Sequence, residues 1–258
     1  MSNKPYKGFE PKWLLTPAPA GSYRSIFRWG DPAFFKYPKE SLYKMMKEAF
    51  HMTDEDFRDY TDDIGFDQVS LPDHPSRIAP EHLEALKKIV GKEFVTTGDY
   101  ERLSVAYGCT GYDLLRLRHK QIDSLPDVVV YPDTTEQVEE LVHYAAEHKL
   151  PLYVYGGGSS VTRGVEPIKG GISLDMRKRF NKILSFNEVD QTITVQAGLS
   201  GPALEEALQD APNCFGAKRQ YTCGHFPQSF EYSSVGGWVV TRGAGQNSTY
   251  YGTIADIV

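Results

Sequence analysis

The stretch "PDVVVYPDTTEQVEELVHYAAEHKLPLYVYGGGSSVTRG", Pro126 to Gly164, decides the fold. Its first apolar run, Val128 to Tyr131, lies between prolines and reads as a buried strand. Val138, Leu141, Val142 and Ala145 then recur on one helical face, with Thr134 or Thr135 placed to cap that helix. "LPLYVY" is a second apolar run. Strand, helix of about four turns and strand make a βαβ unit, which closes on a parallel pair.

Working downstream, "GGISLDM", "KILSFNEV" and "TITVQAG" read as further strands, the last two forming a hairpin across Asp190 and Gln191. "SGPALEEALQDA" reads as a helix with Pro202 near its start and two acids in its first turn. The class is therefore α+β, with mixed rather than purely parallel pairing. Upstream the texture is helical. Leu42, Met45, Met46 and Ala49 give "PKESLYKMMKEAF" an amphipathic face. Thr53 caps a short helix, "TDEDFRDY". Pro80 opens "PEHLEALKKIVG", which Gly91 ends. "DYERLSVAYG" and "GYDLLRLRHK" are two more helical segments. Residues 1–37, rich in proline and aromatics, read as an extended arm. The expected division is an N-terminal arm and helical region over 1–120 and a second domain over 121–258.

Composition narrows the function classes. Twenty-eight Lys and Arg against 34 Asp and Glu give a formal charge of −6, with no long basic run, so nucleic acid is not an expected partner. No apolar stretch approaches the ~20 residues that span a bilayer. The start, "MSNKPYKGFEPKW", has no apolar signal core, so the expected location is cytoplasmic. The three cysteines, Cys109, Cys214 and Cys223, form no CxxC pair and read as reduced thiols. The seven histidines form no metal-binding motif, and no metal is expected.

The chemistry concentrates in the glycines. Gly156-Gly157-Gly158 follows a parallel strand at its C-terminal end, where open α/β sheets place ligands. Glycines there let backbone N–H groups approach an anion, and Ser159 and Ser160 add hydroxyls. A phosphate or pyrophosphate suits such a nest; a plain turn is the alternative. The loop is not a Walker loop, since no lysine follows, and it is not GxGxxG, since Val161 stands where the third glycine should be. A second cluster, "SSVGGWVVTRGAGQNSTYYG" (Ser233 to Gly252), carries Ser233, Ser234, Thr241, Arg242 and Trp238. One ligand with a pyrophosphate and flat rings could use both loops, which matches a dinucleotide cofactor.

With these segments in order, the chain resembles the FAD-binding fold shared by vanillyl-alcohol oxidase and p-cresol methylhydroxylase (the PCMH-type domain). It is most similar to that fold's alkyldihydroxyacetonephosphate synthase branch. Arg163-Gly164 after "GGGSSV", Trp238 in "SVGGW", Arg242 in "TRGAG" and the upstream "RLSVAYGCTGYDLLRLRHKQIDSLPD" carry that likeness. The resemblance covers about residues 100–258. It implies an FAD site built from Val154, Tyr155, Gly156, Gly157, Gly158, Ser159 and Ser160. A second segment would add Gln228, Ser229, Phe230, Glu231, Tyr232, Ser233 and Ser234, and a third Thr241, Arg242, Gly243 and Ala244. Ser159 stands where relatives that attach the flavin covalently have His, so a non-covalent cofactor is expected.

His225 in "CGHFPQS" matches a histidine of that branch, and a structural role is expected for it. Gln228 departs from the branch's acid, and "APNCFGAKRQYTCG" is longer than its counterpart, either a surface loop or part of a substrate mouth. The sequence ends at Val258 within the domain as the family draws it. The expectation is therefore an N-terminal fragment, with catalytic residues beyond Val258 and none assignable within it. The activity implied is that of an ether-lipid synthase using a small-molecule or lipid-precursor substrate. A flavin-dependent dehydrogenase or oxidase of a 2-hydroxy acid or alcohol is the alternative, and a non-catalytic FAD-binding fragment a third. A homodimer is left open.

Overall fold

The computed structural model describes residues 17–26, 40–56 and 65–258. The expected N-terminal arm lies largely outside the described residues, as does the second half of the expected helix after Thr53. The chain forms two compact units, one of residues up to Ser70 with Leu114–Gln121, the other of Leu71–Asp113 with Ile122–Val258.

In the first unit, α1 (Tyr23–Ile26) and α2 (Glu40–Phe50) are the helices among the described residues before residue 70. Ser22 bridges to Gln68, and the Tyr23 hydroxyl donates to the Ser70 carbonyl at 3.1 Å. After α2, Thr53 and Asp56 hold each other's backbone amides, which is the capping contact expected of Thr53.

The second unit begins with α3 (Pro80–Val90), β1 (Val95–Thr96) and α4 (Asp99–Ser104); of α5 (Gly111–Arg118), which follows, Gly111–Asp113 belong to this unit and Leu114–Arg118 to the first. Proline at the first turn starts α3, and Gly91, at φ 99°, ends it. The βαβ unit is β2 (Val128–Val130), α6 (Thr135–Glu147) and β3 (Leu152–Tyr155). The Thr134 hydroxyl caps α6 by accepting from the Gln137 amide. β4 (Ile172–Asp175) follows the glycine loop, and β5 (Ile183–Asn187) pairs antiparallel with β6 (Thr192–Val195) as the expected hairpin.

Two details correct the sequence reading. The strands of the βαβ unit are parallel but not adjacent: the sheet order is β1-β2-β4-β3, with β4 between them and parallel to both. Every residue of β4 is buried, whereas β3 leaves Val154 half exposed, so β4 takes the enclosed central place and β3 the edge, although "ISLD" is the more polar of the two strands. The helical first 120 residues also contribute a strand. β1 lines up antiparallel along β2, which makes the sheet mixed.

One face of this sheet carries α3 and α6, with Leu86, Val90, Leu141 and Ala145 packed on Val128, Val130, Ile172 and Leu174. Each fully buried aliphatic side chain there contributes roughly 1.5–3 kcal/mol relative to exposure. The other face buries Val105, Val129, Tyr131 and Tyr155 together. A second core lies under the hairpin, where α7 (Gly201–Gln209), Trp238 and Ile254 bury Leu199, Leu204 and Leu208. Ser200 caps α7, and the helix begins at Gly201, so Glu205 and Glu206 fall in its second turn rather than its first.

The long "APNCFGAKRQYTCG" segment forms α8 (Ala211–Phe215) and then packs on the hairpin. Phe215 stacks on Phe186 at 4.7 Å, and Glu188 accepts from the Lys218 amide at 2.7 Å and from the Tyr221 hydroxyl at 3.1 Å. The chain closes with α9 (Val235–Thr241), α10 (Ser248–Tyr251) and α11 (Ile254–Ile257).

Candidate cofactor site

β3 runs into the glycine loop at the C-terminal edge of the parallel strands, the end at which such sheets bind ligands. The loop is pressed between two other segments. A Cβ on Gly157 would fall on the Tyr232 carbonyl oxygen and within 2.6 Å of Ser233 Cα, and one on Gly156 would fall on the Ser234 hydroxyl. Gly158 adopts φ +71° over its own neighbour, and a Cβ there would fall on the Tyr155 hydroxyl. From below, Cys109 donates its amide to the Ser160 carbonyl at 2.8 Å and its thiol to the Gly158 carbonyl at 3.4 Å. The Tyr155 hydroxyl donates to the Tyr107 carbonyl at 3.3 Å.

What this packing leaves over is a row of donors. The backbone N–H groups of Gly157, Gly158, Ser159, Ser160 and Val161 donate to no acceptor among the described residues. Backbone donors away from water are almost always paired, and successive unpaired amides in a tight loop form an anion-binding concavity. The Ser159 hydroxyl is likewise without a hydrogen bond among the described residues, while Ser160 Oγ accepts from the Thr162 amide at 3.4 Å. The residues present therefore fit an anionic group such as a diphosphate.

The second glycine segment is fixed by what it touches. Ser234 bridges to Ser200, and its hydroxyl accepts from the Gly237 amide to cap α9. The Val235 and Gly236 amides donate to Leu199 and Ala197 at 2.9 and 2.8 Å. Ser233 Oγ accepts from Trp238 Nε1 at 2.6 Å. The hydroxyls of Ser233 and Ser234 are thus engaged within the protein, while Ser229 makes no side-chain hydrogen bond among the described residues. Phe230 stacks along Trp238 at 5.9 Å, and Gln228 and Glu231 are exposed beside it.

Of the residues that the resemblance singles out, the fold brings Gly156–Gly158 and Tyr232–Ser234 into direct contact. Thr241, Arg242, Gly243 and Ala244 lie at the far end of α9, about 10 Å from its cap by helical rise. Arg242 ends that helix in the left-handed conformation at φ 51°.

His225 is buried, at 1% exposure, and neither ring nitrogen has a hydrogen-bond partner among the described residues. Its ring meets Trp238 edge-on at 5.0 Å, and burial holds its pKa below the ordinary histidine value. Burial also raises the pKa of the Cys109 thiol, and that of the Cys223 thiol to about 11.

Sequence reasoning missed the floor of the loop, Tyr107 to Cys109, and the pair at the end of β4. There Asp175, 1% exposed, accepts from Arg177 Nε and Nη2 at 2.8 and 2.6 Å, and the guanidinium lies 4.6 Å over the Tyr155 ring. Burial alone would lower the Arg177 pKa, but the carboxylate outweighs it and holds the group charged. Burial pushes the Tyr155 phenol up to about 12. The one visible signal was an acid ending an apolar run, which singles out no partner.

Comparison with known proteins agrees with this geometry. The chain is 33% identical over 186 residues to an alkyldihydroxyacetonephosphate synthase of Dictyostelium discoideum, covering 71% of this chain and 29% of that protein. An alkyldihydroxyacetonephosphate synthase of Caenorhabditis elegans is 36% identical over 161 residues, covering 61% and 26%. A solved alkyldihydroxyacetonephosphate synthase superposes with a TM-score of 0.65 at 33% identity, covering 70% of this chain and 34% of that one. The chain thus spans about a third or less of the length of these relatives. No helix among the described residues is long and apolar enough to cross a membrane. The sequence profile described as "FAD binding domain" matches residues 126–258, more than half of the chain and the stretch that holds both glycine loops, and the chain belongs to that family of FAD-binding proteins.

Proposed function

We propose that this chain supplies the FAD diphosphate-binding part of a flavoenzyme similar to the alkyldihydroxyacetonephosphate synthases, with an ether-lipid precursor as substrate. The observation that supports this best is the row of unaccepted amides from Gly157 to Val161, held at the ligand end of the sheet. Those amides would receive the diphosphate oxygens, and the Ser159 hydroxyl stands beside them as a further donor. Cys109 and Tyr155 hold the loop's shape from below, through the Ser160, Gly158 and Tyr107 carbonyls. When bound, the flavin ring supplies electron-accepting chemistry that amino-acid side chains lack.

Attachment is non-covalent in this reading. Ser159 occupies the position of the covalent histidine, and the thiol nearest the loop, Cys109, is held protonated by burial while donating to Gly158. A protonated thiol is a poor nucleophile.

The test is the visible absorption spectrum of the purified protein before and after acid precipitation. A flavin spectrum whose chromophore moves to the supernatant is expected. A folded, colourless protein that takes up no added FAD overturns the proposal.

A further inference from the structure

The glycine loop lacks a cation of its own. No lysine follows the glycines, and Arg163 at the loop's far end is bound to Glu166, Nε to Oε2 at 2.6 Å. A further cation is held just past the end of the strand beside β3. β4 lies between β2 and β3, and its last residue, Asp175, sits beside Tyr155, the residue from which the glycine loop departs. Asp175 takes the backbone amide of Arg177 at 3.0 Å and two prongs of its guanidinium fork, which fixes the fork's plane. The third prong, Nη1, donates to no acceptor among the described residues, and the side chain is 39% exposed while that of Asp175 is 2% exposed. Beneath the guanidinium is the Tyr155 ring, and the hydroxyl of that ring is the surface on which Gly158 rests. The positive field is reinforced from the same segment. Lys178 lies 4.1 Å over the Tyr131 ring, and Arg179 and Lys182 share the single carboxylate of Asp133. Four cations, Arg177, Lys178, Arg179 and Lys182, thus gather with three carboxylates, Asp133, Asp175 and the Glu101 that faces Tyr131.

We infer that Arg177, aimed by Asp175 and the Tyr155 ring, is a cofactor-binding residue that supplies the positive charge for the diphosphate held by the Gly157–Val161 amides. Arg177 thereby does for this loop what a lysine within the loop does in a Walker motif, but from the neighbouring strand. A fork already gripped on two prongs loses little rotamer freedom when its third prong takes an anion. The inference rests on the FAD reading above.

A purely structural role, neutralising the buried Asp175, makes a different prediction, and a double variant separates the two. Arg177→Gln alone leaves a buried carboxylate unpaired and can fail to fold. Asp175→Asn together with Arg177→Gln removes both charges and leaves no such ion. FAD dissociation constants are measured by flavin fluorescence for the wild type, Arg177→Lys and the double variant at low and moderate salt. Circular dichroism and thermal midpoints of the FAD-free proteins are followed alongside. The double variant is expected to keep the wild-type fold and midpoint yet bind FAD about tenfold more weakly at low salt, with less salt dependence. Arg177→Lys keeps the charge, so it retains most of that salt dependence while losing affinity with the fork. Wild-type affinity and salt dependence in a folded double variant overturn the inference while leaving the FAD reading intact. Failure of the wild type itself to bind FAD overturns that reading, and the assignment of Arg177 with it.

Discussion

Replacing Gly157 with alanine tests the contact on which the site depends. The backbone of Gly157 is not in the left-handed region, so an alanine is conformationally allowed there and the cost is steric alone. The new methyl group would fall on the Tyr232 carbonyl oxygen and within 2.6 Å of Ser233 Cα, both of them backbone. Neither can swing aside as a side chain would: the Tyr232 amide is tied to the Ser229 carbonyl at 2.9 Å, and the Ser233 carbonyl to the Gly201 amide at 3.2 Å. Overpacking of this kind costs about 1–3 kcal/mol. The smaller unfolded-state entropy of alanine offsets about 0.4–1 kcal/mol of it. Gly164→Ala in the same loop is the matched control. Nothing lies closer than 3.9 Å to a Cβ there, so only the entropic gain remains. Urea denaturation of the FAD-free proteins reads both changes, and FAD titration reads the effect on the amide row. Gly157→Ala should lose stability and weaken FAD by tenfold or more, while Gly164→Ala should be neutral or slightly stabilised. Equal stability and equal FAD affinity in the two variants would refute the claim that the loops are held in backbone contact at Gly157.

Three further outcomes follow from particular side chains. Ser234→Ala removes the cap of α9 and the hydroxyl facing Gly156, so urea denaturation should show a loss of about 1 kcal/mol. His225 is buried with its pKa depressed, so the unfolded chain takes up the proton first. The stability it contributes is complete above about pH 6.5 and is lost as pH falls through the lower folded value. His225→Phe should therefore flatten the fall in denaturation midpoint between about pH 7.5 and 5.5, and an unchanged pH dependence would count against a neutral, unpartnered imidazole. In alkylation followed by mass spectrometry at neutral pH, exposed Cys214 should react well before Cys109 and Cys223, whose thiols burial keeps protonated. First labelling of Cys109 would remove the argument against a thiol-linked flavin.

The elements that sequence reasoning found are those with a complete local pattern. The four apolar positions of α6 with Thr134 before them, and Pro80 and Gly91 bracketing α3, carry their instructions within one window. What it missed depends on partners distant in the chain. β1 is two residues long, and "VT" becomes a strand because Val95 and Thr96 align with Val130 and Val129. The place of β4 between β2 and β3 is not carried by its letters, since the more polar "ISLD" is wholly enclosed while "LYVY" shows Val154 to solvent. A run of apolar letters does not reveal which of two parallel strands will be enclosed more completely.

The glycine triplet shows how a motif can be found in the sequence and still be misread in its parts. Read locally, three glycines leave open space for an anion. In the fold each glycine is filled by protein: Gly156 by Ser234, Gly157 by Tyr232 and Ser233, Gly158 by Tyr155. Gly157 is needed so that two segments more than seventy residues apart can touch through their backbones. That contact fixes the loop in a shape in which the backbone amides of residues 157 to 161 meet no acceptor among the described residues. Anion binding, as proposed for this loop, would then be a consequence of long-range packing rather than of the motif itself, and neither the Walker nor the dinucleotide spacing would describe it. The same logic accounts for the cation. The arginine of the loop itself, Arg163, is bound to Glu166, and the adjacent strand end, where a buried acid grips a guanidinium, offers another. The charge and the amides would then come from different strands, and their coincidence at one sheet edge is set by the order β2-β4-β3, which no spacing rule contains.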